Sequence, residues 1–195
     1  MLHVALITPE EVHRIERGTY EQMVSHGLFT DQSVELIDGI VIDMSPIEPA
    51  HAATTVRLHK LLLRAVGDRA EVRAQDPIRS AGQSMPQPDL AVVTPGDYDA
   101  AHPDQALLII EVADCSLRKD RLVKGPLYAL SGFAEYWIVN LVDHVLEAHV
   151  QAVTGAHNFA LELGKALETL GQRHGQSSSL TVRALRKRHF SCNLR

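Results

Sequence analysis

The run ALLIIEV at residues 106–112 is apolar at every position but one. A strand with one face on water would alternate polar and apolar residues. A run this continuous predicts a strand covered on both faces, as in a sheet sandwiched between helices. The exception is Glu111, near the end of the run. Upstream, QPDLAVV predicts a second strand at 90–93, opened by Asp89 directly after Pro88. Downstream, residues 120–130 have helical character and stop at Ser131-Gly132, with Pro126 inside expected to kink or divide the helix.

Working outward, residues 34–44 (VELIDGIVIDM) read as a β-hairpin around the turn signal Asp38-Gly39. Residues 49–66 switch to a helical period, with Val56, Leu58, Leu61, Leu62 and Ala65 as an apolar stripe and Gly67 as its stop. A further strand is expected at 70–75 and a loop at 80–88. Residues 135–141 and 145–150 read as a second hairpin. Thr8, Pro9 and Glu11 resemble a capped helix start, which predicts a helix over 8–26 with a break at Gly18. The fold class expected is α/β (α+β): a mixed sheet with helices on both sides. Residues 1–150 make the domain. Residues 151–195 form an extension of weaker pattern, with a short helix expected at 159–170 and a basic end.

The chain has 195 residues, 45% of them hydrophobic and 22% charged, which fits one globular domain. No window approaches the roughly 20 apolar residues of a membrane span, and no secretory signal is expected. Two cysteines, Cys115 and Cys192, cannot build a disulfide framework or a four-thiolate zinc site. The cytoplasm is the compartment expected. Residues 1–150 carry 12 basic against 22 acidic side chains, a balance of −10, while 151–195 carry 7 against 2. An acidic body of this kind does not bind nucleic acid tightly by charge alone.

Three acids stand where acids are awkward: Asp89, Glu111 and Glu35, the last between Val34 and Leu36. A carboxylate on a buried strand costs several kcal/mol unless paired or bound to a cation. Taken singly, each reads first as a turn former or cap partner. Taken together they form a hard, oxygen-rich set suited to Mg²⁺.

Five blocks, VELIDGIVIDMSP, EPAHAATTVRLHKLL, QPDLAVV, IIEVADCSLRKDRLVKGPLYALSG and EYWIVNL, resemble in sequence, order and spacing the Uma-type restriction endonuclease family of the PD-(D/E)XK nuclease superfamily. The resemblance covers about residues 8–150. It implies a restriction-endonuclease-like core and metal-assisted hydrolysis of DNA phosphodiesters. Asp89 and Glu111, with the Val112 carbonyl, would hold Mg²⁺ or Mn²⁺, and Glu35 would be an additional site acid. The superfamily lysine belongs two positions after Glu111, where this chain has Ala113. The family's lysine lies on the following helix, and Lys124 matches that position. Lys119 reads as an exposed neighbour, and Arg79 and Arg118 carry no specific signal. His51, in Pro49-Ala50-His51-Ala52, reads either as a site neighbour or as a helix-start hydrogen-bonding group, with its neutral form favoured by the helix dipole. Short exposed strands expected after Leu141 and a sheet needing cover suggest a homodimer, which also suits cutting two strands. The competing reading is a nuclease-fold protein without catalysis that binds nucleic acid as an accessory factor. The absent Glu-x-Lys and the acidic body favour it.

Overall fold

Cover on both faces is what residues 106–112 require, and it sets the architecture. The structure, a computed structural model, describes residue 8, residues 11–150 and the strand at 181–185. In chain order the elements are α1 (Arg17–Ser25), β1 (Val34–Ile37), β2 (Ile40–Asp43), α2 (Pro49–Val66), β3 (Glu71–Ala74), β4 (Leu90–Val93), β5 (Leu108–Ala113), α3 (Leu117–Lys119), a π-helical turn (Asp120–Lys124), α4 (Gly125–Leu130), β6 (Glu135–Asn140), β7 (Val145–Val150) and β8 (Thr181–Leu185). Strands β3 to β8 form one mixed sheet in sequence order. The β5–β6 and β7–β8 pairs are parallel and the others antiparallel. The architecture is the mixed α/β one expected, flanked by helices.

Strand parity sorts the core into two layers. Leu108, Ile110 and Val112 of β5 pack with Leu58, Leu62 and Val66 of α2, joined by Trp137 and Val139 of β6. Ile109 and Ala113 point the other way, onto Tyr128, Phe133 and Ile138. Each fully buried side chain of this kind contributes about 1.5–3 kcal/mol from removal of apolar surface from water. By the same parity, Glu111 lies on the face of Ile109 and Ala113. Asp89 shares that face through Ala91 and Val93.

The hairpin of residues 34–44 forms a separate two-stranded sheet, with Ile37 opposite Ile40. Its two turn residues, Asp38 and Gly39, have φ of 49° and 77°, the left-handed values this turn demands. Leu36 enters a third apolar cluster with Tyr20, Val34 and Met85, which sends its neighbour Glu35 to the opposite side of the strand.

Two elements differ from expectation. The helix expected over 8–26 begins only at Arg17. Thr8 N–H does donate to Glu11 Oε2 at 2.7 Å, half of a capping box. But Ile15 N–H is given to Gly39 O at 2.9 Å and Arg14 pairs with Asp38, so a tertiary contact holds this segment against the hairpin turn. The helix expected over 120–130 begins earlier, at Leu117, and Pro126 does not divide it. The backbone stays in the right-handed helical region at Lys119, Asp120, Lys124 and Gly125, but the middle turn is widened. Gly125 N–H reaches Asp120 O, five residues back. Proline cannot donate to the fourth residue before it and its ring crowds that carbonyl; a wider turn relieves both. A β-carbon at Gly125 would come 3.3 Å from Asp120 O, so the smallest residue suits this turn. The helix expected at 159–170, and most of the 151–195 extension, lie outside the described residues.

Candidate functional site

Leu90 lies opposite Ile110 in the antiparallel register, which brings Asp89 alongside the end of β5. Val112 N–H donates to Asp89 Oδ2 at 2.7 Å, and His51 Nε2 lies 3.1 Å from the same oxygen. Asp89 Oδ1 takes no hydrogen bond from the described residues. On the other strand, Glu111 Oε1 accepts from Lys124 Nζ at 2.9 Å and from the Tyr128 hydroxyl at 2.8 Å. Glu111 Oε2 is left without such a partner among the described residues. Both carboxylates line one cavity of about 60 Å³, together with His51, Lys119, Asp120 and Lys124. A single water needs roughly 10–15 Å³ on that measure.

Glu35 stands behind these groups and is not on the cavity wall. Its carboxylate is fully buried and bracketed: Lys119 Nζ is 3.0 Å from Oε1, and Lys124 Nζ is 3.1 Å from Oε2. Gln87 N–H donates to Oε2 at 3.2 Å. These contacts make it the counter-ion of two lysines. Lys119 differs from expectation: it is a cavity-lining ion-pair partner and not a plain exposed neighbour. The π turn explains it. In an α-helix, residues five apart point about 140° away from each other. Five-residue hydrogen bonding places them nearly one above the other, so Lys119 and Lys124 both reach Glu35. Asp120, between them in sequence, accepts a 2.5 Å hydrogen bond from Ser116 Oγ.

The charges are arranged unequally. Burial would raise Glu35, but Lys124, Lys119 and the Gln87 amide outweigh it and hold the carboxyl below its ordinary range. Burial pushes Glu111 up to about 8, with Asp89 and Asp120 adding to the rise and Lys124 opposing it. Burial alone would lower Lys124, yet Glu111 and Glu35 more than compensate and keep it an ammonium. Asp120 is raised by burial, against its Ser116 hydrogen bond. His51 is raised, first by its hydrogen bond to Asp89, which overcomes burial. This direction is opposite to the one that the helix dipole alone would give: a carboxylate in contact outweighs a partial charge.

Among the described residues no trio of His, Cys, Asp or Glu forms a metal cluster. Mg²⁺ does not require one, since it keeps several waters and is held through one or two carboxylates plus substrate phosphate. The free Oδ1 of Asp89, the free Oε2 of Glu111 and the disfavoured charge on Glu111 fit a hard divalent cation, which would restore the anion.

A profile described as "Putative restriction endonuclease", that of the Uma2 family, matches residues 17–186 of this sequence. The chain belongs to the Uma2 family. The Uma2 match begins at the first residue of α1 and continues through β8. The fold also resembles the crystal structure of a "putative nuclease" from Anabaena variabilis, with a TM-score of 0.59 and 15% identity, covering 71% of this chain and 81% of that chain. At that identity the likeness is one of fold. No curated protein matches the sequence. Family and fold are thus of the nuclease type, and among the described residues no helix is long and apolar enough to cross a membrane.

Of the residues singled out in the sequence, Asp89, Glu111, Lys124 and His51 meet at one cavity, and Glu35 meets them through the lysines. Arg118 is not on the cavity wall, and Arg79 is engaged with Glu21 at 2.7 Å. Lys119 and Tyr128 were not recognised. Lys119 and Lys124 stand five apart just before Gly125-Pro126, a spacing that an ordinary helix turns to different faces.

Proposed function

We propose that the chain is a divalent-metal-dependent endonuclease that hydrolyses phosphodiester bonds of DNA. The observation that carries this reading is the convergence of Asp89 and Glu111 on one cavity, with the Lys124 ammonium 2.9 Å from Glu111. Asp89, Glu111 and the Val112 carbonyl would hold Mg²⁺ or Mn²⁺. That ion, when bound, would supply Lewis-acid polarisation of the phosphate and a more acidic water. The chain's own groups do the rest. Tyr128 and Lys124 occupy Glu111 Oε1 and so leave Oε2 for the ion. His51 and Val112 N–H fix Asp89 through Oδ2 and leave Oδ1. Lys124 has three donors, two of them spent on Glu111 and Glu35, and the third would orient the attacking water and offset charge in the transition state. Ala113, at the superfamily lysine position, is fully buried, so the helix supplies the ammonium that the strand does not.

A nicking assay on supercoiled plasmid tests the reading. Cleavage is expected with Mg²⁺ or Mn²⁺ and not with EDTA. Asp89→Ala should abolish it, and Lys124→Ala should lower it by roughly two to three orders of magnitude, the scale of one lost transition-state stabiliser. A homodimer would supply two such centres for two strands; light scattering that gives a monomer mass would count against it. The second reading, a non-catalytic nucleic-acid-binding protein of the same fold, is favoured by the −10 balance of residues 1–150. It takes over if the parent binds DNA and no metal supports cleavage.

A further inference from the structure

We infer that Lys119 is a substrate-binding residue, contacting a DNA phosphate at the mouth of the cavity, distinct in role from Lys124. This rests on the nuclease reading above and assigns the site a second cation. Three basic side chains line the cavity among the described residues: His51, Lys119 and Lys124. Their side-chain exposures are 15%, 28% and 4%. Lys124 is sealed between two carboxylates, and His51 is committed to Asp89. Lys119 is the most open of the three.

Its donors also allow the role. An ammonium carries three N–H donors, and Lys119 places one on Glu35 Oε1. The remaining two can take phosphate oxygens while the first stays where it is. Glu35 thus acts as a fixed anchor, fully buried and held from the other side by Lys124 and the Gln87 amide. A lysine on a flexible stem loses rotamer freedom when it binds; one already tethered has lost part of it before the substrate arrives.

The charge around the cavity gives the tether a purpose. Asp89, Glu111, Asp114 and Asp120 all line it. A divalent ion can offset the reacting phosphate against Asp89 and Glu111, but a neighbouring phosphate would meet an acidic wall. The π turn supplies the missing positive group by lifting Lys119 onto the face that Lys124 already occupies.

The test uses the full chain and a short DNA duplex, with Ca²⁺ in place of Mg²⁺ to permit binding without turnover. Lys119→Gln should weaken binding by about 3–10-fold and reduce the slope of log K against log salt by about one, the signature of one lost phosphate contact. With Mg²⁺, KM should rise while kcat changes little, and Lys119→Arg should keep most of the parent affinity. Thermal unfolding of each variant reports whether the fold is intact, and Lys119→Met, judged by the same salt slope, carries the test if Lys119→Gln is unfolded. A variant that lowers kcat with an unchanged salt slope would overturn the inference and leave Lys119 as a support for Lys124. A parent that cleaves while Lys119→Gln binds and cleaves equally well overturns this inference alone. A parent that neither binds nor cleaves DNA overturns the nuclease reading and this inference with it.

Discussion

Replacing Lys124 by Met probes how the buried charges are balanced. Lys124 Nζ lies 3.1 Å from Glu35 Oε2 and 2.9 Å from Glu111 Oε1, with only 4% of the side chain exposed. Removing one partner from a buried pair costs about 3–5 kcal/mol when the other is left charged. The two acids left behind differ, however. Glu35 keeps Lys119 and the Gln87 amide. Glu111 keeps only a tyrosine hydroxyl, and burial already pushes it up to about 8. Because that value lies above the roughly 4.3 of an unfolded glutamate, the folded chain binds the extra proton through this window, and stability falls as pH rises through it. In the parent the fall ends near pH 8. In Lys124→Met the folded value moves higher, so the fall continues at up to about 1.4 kcal/mol per pH unit. At pH 6, with Glu111 neutral in both proteins, the variant should lose about 1–2 kcal/mol, the scale of the lost hydrogen bonds. At pH 9.5 the loss should reach about 3–4 kcal/mol. Urea unfolding in EDTA, followed by the sole tryptophan, Trp137, measures both. An equal loss at the two pH values, or less than about 0.5 kcal/mol at pH 9.5, refutes the reasoning.

Other expected outcomes follow the same physics. Mg²⁺ or Mn²⁺ should raise the Tm of the parent, and Asp89→Asn should remove most of that rise, as read by differential scanning fluorimetry; an equal rise in the variant would place the ion elsewhere. Glu135, pushed up to about 7 by burial against its Trp137 hydrogen bond, loses favour as pH rises through that range. Glu135→Gln should therefore be more stable relative to the parent at pH 8 than at pH 5, by at least about 1 kcal/mol in denaturant titrations. Gly39→Ala should destabilise by about 1–3 kcal/mol, since φ is 77° and the added carbon would come 2.7 Å from Arg14 Cβ. A loss under about 0.3 kcal/mol would show that the hairpin turn can shift freely.

Elements whose local and tertiary demands agree were legible. Gly67 stops α2 where the stripe of Leu58 and Leu62 ends, and β4 spans the residues that LAVV suggested. Asp38-Gly39 makes the tight turn its sequence advertises. The site acids were legible for the same reason: Asp89 and Glu111 are polar groups in apolar strands, and burial makes that pattern costly unless it is used. What escaped was non-local. Thr8 and Glu11 carry a helix-start signal, but Ile15 gives its backbone N–H to the hairpin turn. Lys119 could not be placed because a 3.6-residue period turns it away from Lys124. Only the contact between Gly125 N–H and Asp120 O resets that angle.

The widened turn at Asp120–Lys124 amounts to one extra residue wound into an otherwise ordinary helix. Such an extra residue works like an index gear. With that residue kept, an ordinary α turn would leave Lys124 and Tyr128, which follow it, seated on Glu111, but would rotate everything before it by about 100° and swing Lys119 off Glu35; with it deleted, the same α turn would set the two lysines four apart on one face. The charge presented to an incoming anion could therefore change by a unit with no substitution at all. Relatives of this chain one residue shorter between Ser116 and Lys124 should then wind an ordinary turn there and hold a polyanion as firmly, while sharing the same inner carboxylates.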